Sequence, residues 1–147
     1  MRTLKTALNT NRAIFYLLGA SGFVGQHLMR KLDPSCLLGT HCNTPAINTY
    51  YFKSGETPFE SLFDIGFNAK HAVIMLGDTK IDSCKVNYNA SKKTNVTGIK
   101  KLINELFYYK IKPVFISSEY VYNGEDGYYT EDIEPNANTI YGQQKAE

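Results

Sequence analysis

The sequence predicts a doubly wound α/β fold, in which a parallel β-sheet carries helices on both faces. Short apolar segments alternate with longer segments of helical periodicity. Residues 73–76 and 114–116 are apolar without polar alternation, which is typical of parallel strands buried on both faces. A glycine-rich turn at 19–25 follows the first apolar segment. We therefore expect right-handed βαβ units and a Rossmann-like sheet, a fold whose usual strand order is 3-2-1-4-5.

Composition excludes several classes of protein. A chain of 147 residues, 43% hydrophobic and 20% charged, can bury a core and is not disordered. A net charge of +2 gives little electrostatic reason to bind nucleic acid, and no apolar stretch is long enough to span a membrane. The three cysteines include no C-x-x-C pair, so we expect no metal site or disulfide framework and favour a cytoplasmic protein.

The strand pattern defines one domain. We expect residues 13–147 to form it, after an N-terminal extension of residues 1–12. The basic start of the chain and the apolar segment 13–18 could also be read as a short signal peptide, but the glycine turn that follows favours a strand. Five strands are predicted, at about 13–18, 35–40, 48–52, 71–76 and 112–117.

The first helix is predicted at 23–32. Val24, Leu28 and Leu32 recur at every fourth position there, as the apolar stripe of an amphipathic helix does. A short helix is expected at about 58–64, before the fourth strand.

A long helix is predicted at 87–109, and a last helix is expected to begin near Asn138. The long helix carries a stripe of apolar residues at helical spacing, formed by Val96, Ile99, Leu102, Ile103, Leu106 and Phe107.

The glycine turn has the spacing G-x-x-G-x-x-G. Gly19 permits a tight turn, Gly22 lets a pyrophosphate approach the backbone, and Gly25 lets the helix pack closely on the sheet. The start of the helix adds free N–H groups for an anion. No Lys-Ser/Thr pair follows, so the turn is not an NTPase P-loop. The candidate dinucleotide contacts here are Gly19, Ser21, Gly22, Phe23, Val24 and Gly25.

The end of the second strand bears on the choice of dinucleotide. An acidic residue that binds the adenosine ribose is usual there, but residues 37–43 contain neither Asp nor Glu. Thr40, His41 or Asn43 can accommodate a 2′-phosphate, although no Arg is present. We therefore favour NADP as the cofactor, with NAD as the alternative.

A serine, a tyrosine and a lysine form the candidate catalytic group. Ser118 follows the fifth strand, at the edge where parallel sheets bind ligands. Tyr141 and Lys145 are four residues apart, so a helix places them on one face. A phenol titrates near pH 10, and a neighbouring cation lowers its pKa. The group is suited to proton transfer at a carbonyl or an alcohol.

These motifs together resemble the extended short-chain dehydrogenase/reductases. Residues 116–124 and 129–132, with Tyr141-Gly142 and Lys145, are similar to the dTDP-4-dehydrorhamnose reductase branch of that family. Asp82 and Asn95-Val96 also match elements of this branch. The resemblance covers about residues 13–147.

The resemblance implies roles for individual residues. Tyr141 would be the acid/base in hydride transfer to a 4-keto sugar, and Ser118 would orient the substrate carbonyl. Lys145 would bind the nicotinamide ribose and lower the pKa of Tyr141, and Asn95 would contact the cofactor. The partner implied is a nucleotide sugar, with no role for nucleic acid or a membrane.

The chain departs from the branch in several ways. Its fourth strand continues into Gly77-Asp78, Lys85 replaces an acid, and Glu119 stands where Asp is common. Members of the branch continue into a substrate lobe, so we expect this chain to be truncated before that lobe, to lack turnover alone and to self-associate. An epimerase or dehydratase fragment and a non-catalytic dinucleotide-binding regulatory subunit remain alternatives.

Overall fold

A computed structural model describes residues 15–66 and 68–147. Its five parallel strands have the order β3-β2-β1-β4-β5, which confirms the predicted fold class and strand order. The extension 1–12 and the first two residues of the predicted first strand lie outside the described residues. The strands are β1 (Phe15–Leu18), β2 (Leu37–His41), β3 (Thr49–Tyr51), β4 (His71–Ile74) and β5 (Lys112–Phe115).

Helices connect the strands. The predicted long helix is divided by a π-helical turn at Lys93–Thr97, and short 3₁₀ helices occupy Pro34–Cys36, Phe59–Ile65 and Glu119–Val121. In the described part of the chain, no helix has both the length and the apolar character needed to cross a membrane. The α-helices are α1 (Phe23–Lys31), α2 (Ile81–Val86), α3 (Tyr88–Lys92), α4 (Gly98–Tyr108) and α5 (Ile140–Ala146).

The main core lies between the sheet and α4. Alternate strand residues point to this face, and the apolar stripe of α4 packs on them. Phe59 reaches into the same core and contacts the ring of Tyr16 edge-on, with ring centroids 5.0 Å apart. The buried residues of this core are Tyr16, Leu18, Leu38, Phe52, Phe59, Leu62, Ala69, Ala72, Ile74, Ile99, Leu102, Leu106 and Ile111.

On the opposite face of the sheet, the prediction of the apolar stripe of the first helix is wrong in part. Val24 and Leu32 were expected to be buried by α1, but Val24 is 54% exposed and Leu32 is also exposed. Helix α1 instead packs on the sheet through Gly25, its one buried residue, and through Met29. The Met29 sulfur lies so close to β2 that a Cβ added to Gly39 would be only 3.0 Å from it. The close contact to β2 leaves the predicted stripe at the margin of the interface.

The predicted burial of the fifth strand, β5, is also wrong. Its segment was expected to be buried on both faces, but Val114 and Ile116 are exposed. Phe115 packs towards the α4 core, so its neighbours in the strand point to the other face. Among the described residues, β5 is an edge strand with one face covered.

Candidate functional site

The glycine turn is fixed by close backbone contacts. Gly19 has φ +92°, and a Cβ there would lie 2.8 Å from the carbonyl oxygen of Met75. A Cβ on Gly25 would lie 2.6 Å from the carbonyl oxygen of Gly19. Gly22 is exposed, and a Cβ there would meet only that same oxygen, at 3.3 Å. Gly19 and Gly25 therefore permit the packing, whereas Gly22 leaves the outer surface of the turn accessible.

The start of α1 offers hydrogen-bond donors. Gly22 is the N-cap and supplies no side-chain acceptor, so the first N–H groups of the helix are not capped by a side chain. Together with the helix dipole, these groups favour an anion. Thr40 lies directly beneath the turn, is fully buried, and accepts a hydrogen bond from the Gly19 N–H at 3.1 Å. Thr40 thus supports the turn from behind.

A cleft follows the carboxyl edge of the sheet on both sides of the turn. One cavity of about 380 Å³ lies over the ends of β2 and β3, and another of about 310 Å³ lies over the ends of β4 and β5. The two cavities share the turn and the segment after β4. A larger groove of about 600 Å³, between Phe59–Ile65 and α4, lies away from this edge. The shared residues are Gly19, Gly22, Met75, Leu76 and Gly77.

The cavity over β2 and β3 differs from the prediction. His41 does not line it, because its Nδ1 is 2.8 Å from the Thr49 hydroxyl. Asn43 lines it. The lining residues that sequence reasoning did not include are Cys42, Thr44, Phe52, Lys53, Ser54, Glu56, Met75, Leu76, Gly77, Lys93 and Thr94. Those after β3 could have been found, because the carboxyl ends of neighbouring parallel strands meet at one edge.

The cavity over β4 and β5 contains two of the three candidate catalytic residues. Tyr141 and Lys145, both on α5, line it together with Ser117. Ser118 lies next to this wall. Its hydroxyl accepts from the Tyr120 N–H at 3.3 Å and donates to Glu119 Oε2 at 3.0 Å.

Burial controls the titration of the α5 residues. Tyr141 is only 7% exposed, and burial raises its pKa, an effect that Ser118 partly offsets. Burial lowers the pKa of Lys145. The Lys145 ammonium donates to the Ile116 carbonyl at 3.0 Å and lies 4.2 Å from the centre of the Phe115 ring. The resemblance implied a lowered pKa for Tyr141, but here the effect of burial is larger.

Asn95 lies behind the cleft and does not line it. It is 4% exposed, its Oδ1 accepts from the Asp78 N–H at 2.7 Å, and its Nδ2 donates to the Asp78 carbonyl at 2.9 Å. A Cβ on Gly77 would lie 2.9 Å from Asn95 Oδ1. In this structure Asn95 therefore supports the segment after β4.

A parallel sheet with a glycine turn, an uncapped helix start and a cleft across its carboxyl edge belongs to the class of dinucleotide-binding α/β domains. A protein-family model described as the RmlD substrate binding domain matches residues 13–147. The chain belongs to this family. A search of curated proteins finds no match.

Several solved structures share the fold. A hypothetical dTDP-4-dehydrorhamnose reductase from Sulfolobus tokodaii superposes with a TM-score of 0.80 at 24% identity, over 90% of this chain and 49% of its own. The dTDP-4-dehydrorhamnose reductase of Bacillus anthracis in complex with NADP gives 0.73 at 20% identity, over 94% and 48%. MoeE5 in complex with UDP-glucose and NAD gives 0.75 at 22% identity, over 90% and 46%.

This chain therefore spans about half the length of each of these three structures. The resemblance seen in the sequence is confirmed at the level of family and fold.

Proposed function

We propose that the chain binds a nicotinamide dinucleotide in the cleft, as the dinucleotide-binding part of a nucleotide-sugar reductase. One observation carries the proposal: the glycine turn lies in the middle of a continuous cleft whose far end holds Tyr141 and Lys145. The MoeE5 structure is described with NAD and the Bacillus anthracis reductase with NADP, which supports the choice of ligand.

The residues present fit such a ligand. Gly22 leaves room for a pyrophosphate beside the turn, where a larger side chain would fill the space. The uncapped N–H groups at the start of α1 are donors for its oxygens. The adenosine half would then lie over β2 and β3, and the nicotinamide half would lie beside Tyr141.

The bound dinucleotide would supply the hydride. Burial raises the pKa of Tyr141, so its phenol is protonated at neutral pH and can give that proton to a carbonyl oxygen. The Lys145 ammonium adds positive charge at the same end of the cleft. Ser118 can orient the carbonyl if its hydroxyl gives up its hydrogen bond to the Glu119 carboxylate and donates to the substrate oxygen instead. The substrate class we propose is a 4-keto sugar carried by a nucleoside diphosphate, by analogy with the names of the dTDP-4-dehydrorhamnose reductases that share the fold.

Titration of the whole chain with NADPH and NADH, followed by nicotinamide fluorescence, tests the proposal. Gly22→Ala should weaken binding by about tenfold and lower thermal stability only slightly, because Gly22 lines both cavities and its Cβ would meet a single protein atom, at 3.3 Å. Gly66→Ala is the control: this glycine has φ +75° and lies before β4, at the other edge of the sheet. It should lower stability only. A folded chain that binds neither dinucleotide at millimolar concentration overturns the proposal.

A further inference from the structure

The cavity over β2 and β3 contains a group of charges that the sequence motifs do not include. Lys53 Nζ is 3.0 Å from Glu56 Oε2, and Lys93 Nζ is 3.4 Å from Glu56 Oε1. All three side chains line the cavity, and we call them the lysine cluster. Two cations share one carboxylate, so the cluster carries a net positive charge.

The lysine cluster lies at the end of the cleft where the adenosine ribose would bind. The Phe52 N–H donates to the His41 carbonyl at 2.8 Å, which places the residue after it, Lys53, beside the end of β2. In folds of this kind, the residue at the end of that strand contacts the 2′ position of the adenosine ribose. Residues 41–44 offer no carboxylate for a free 2′-hydroxyl. The nearby charges are two lysines and one carboxylate, Glu56, which pairs with both of them, so the net charge is positive.

Ser54 lines the same cavity, but its hydroxyl is buried beside Gly98 at the start of α4. The donors that this wall offers a ligand are therefore the two lysines. Ammonium groups form charge-assisted hydrogen bonds with phosphate oxygens.

We propose that Lys53 and Lys93 recognise the 2′-phosphate of NADP, and that Glu56 holds the two lysines in place when no phosphate is bound. The inference rests on the proposed function and adds to it the residues that select NADP. A phosphate monoester carries more negative charge than a carboxylate, so it competes effectively for both ammonium groups. The cluster thereby takes the part of the arginine that commonly accommodates this phosphate.

The proposal predicts effects of opposite sign. Lys53→Met and Lys93→Met should each weaken NADPH binding by about fivefold to tenfold and leave NADH binding unchanged. Glu56→Gln removes the competing carboxylate, so it should tighten NADPH binding severalfold without affecting NADH. All three side chains are substantially exposed, so the fold should survive each change. Lys100→Met is the matched control, because Lys100 is an exposed lysine of α4 that pairs with Glu147 at 3.1 Å and does not line the cavity.

The experiment is a parallel titration of the whole chain and these variants with NADPH and NADH. Competition by adenosine 2′,5′-bisphosphate and by adenosine 5′-monophosphate isolates the phosphate. We expect the wild type to prefer NADPH and the bisphosphate, and the lysine variants to lose that preference. Equal binding of NADPH and NADH, or equal weakening of both by the lysine variants, overturns the role of the cluster while keeping the proposed function. Failure of the wild type to bind either dinucleotide overturns both.

Discussion

The side chains of Asn95 and Gln144 are joined by a hydrogen bond of 2.8 Å, which links helix α5 to the residue that supports the segment after β4. Asn95 Nδ2 donates this bond, and Gln144 Nε2 donates in turn to the Ser91 hydroxyl at 2.9 Å. Asn95 and Gln144 are each 4% exposed. Since α5 carries Tyr141 and Lys145, this buried amide network sets where those side chains lie relative to the cleft.

Replacing Gln144 by leucine should destabilise the protein by about 1–3 kcal/mol, because two buried hydrogen bonds are lost at about 0.5–1.5 kcal/mol each. Asn95 keeps its bond to the Asp78 carbonyl, and Ser91 keeps its bonds to the Cys84 and Tyr88 carbonyls. Urea unfolding measures the loss. Gln143→Leu is the control, because Gln143 is the adjacent residue of the same type and is exposed. Similar losses in the two variants would contradict a structural role for the network.

The sequence predicted the fold well because its signals are local. The glycine turn, the apolar segments and the helical stripe each lie within a few turns of chain, and the order 3-2-1-4-5 is the usual one for sheets of this class. The π-helical turn at Lys93–Thr97 was missed. It turns Asn95 inward to Asp78 and Gln144, which are 17 and 49 residues away, and a periodicity argument does not include such distant partners.

Gly25→Ala should lower the free energy of unfolding by about 1–3 kcal/mol, and Gly22→Ala should lower it by less. A Cβ at Gly25 would lie 2.6 Å from backbone atoms of Gly19 and Ala20, which cannot move without opening the turn. At Gly22 the nearest atom is 3.3 Å away. Thermal unfolding of the two variants checks this order. A Gly22 variant that is the less stable of the two would contradict it.

Stability should depend on Lys145 at alkaline pH. Burial lowers the pKa of Lys145 in the folded chain, so the unfolded chain binds more protons as the pH rises from that pKa to the ordinary lysine value of 10.5. The contribution of this residue to stability therefore increases with pH over that interval. The difference in unfolding free energy between wild type and Lys145→Met should shift in favour of the wild type.

Urea unfolding at a series of pH values measures that difference. Comparing the two proteins cancels the opposite effect of Tyr141, whose raised pKa makes stability fall as the pH rises above the ordinary tyrosine value. A difference that is constant with pH would contradict the lowered pKa of Lys145.

The candidate site was predicted less completely than the fold. Tyr141 and Lys145 were found because their spacing is a local property of one helix. The sequence did not show that Thr40 supports the glycine turn from below, or that His41 is held by Thr49. Both contacts depend on the direction in which the side chain points at the end of β2. That direction is set by packing against neighbouring segments that are distant in sequence.

Cysteine reactivity offers a test of the cleft that needs no enzymatic activity. Cys42 is partly exposed and lines the cavity over β2 and β3, whereas Cys36 lies before β2, outside the cleft-lining residues. Cys84 is buried, and burial raises its pKa, so it should react only on unfolding. We therefore expect two thiols to react with Ellman's reagent in the folded chain and a third in denaturant.

Bound NADPH should slow the reaction of Cys42 and leave that of Cys36 unchanged, because only Cys42 is covered by a ligand in the cleft. Cys36→Ser and Cys42→Ser variants assign the two rates, and Cys36 serves as the internal control in the wild type. The protected fraction of Cys42 should follow the same dissociation constant as nicotinamide fluorescence. Equal slowing of both thiols would point to a general change in the protein, and protection of neither would place the dinucleotide elsewhere.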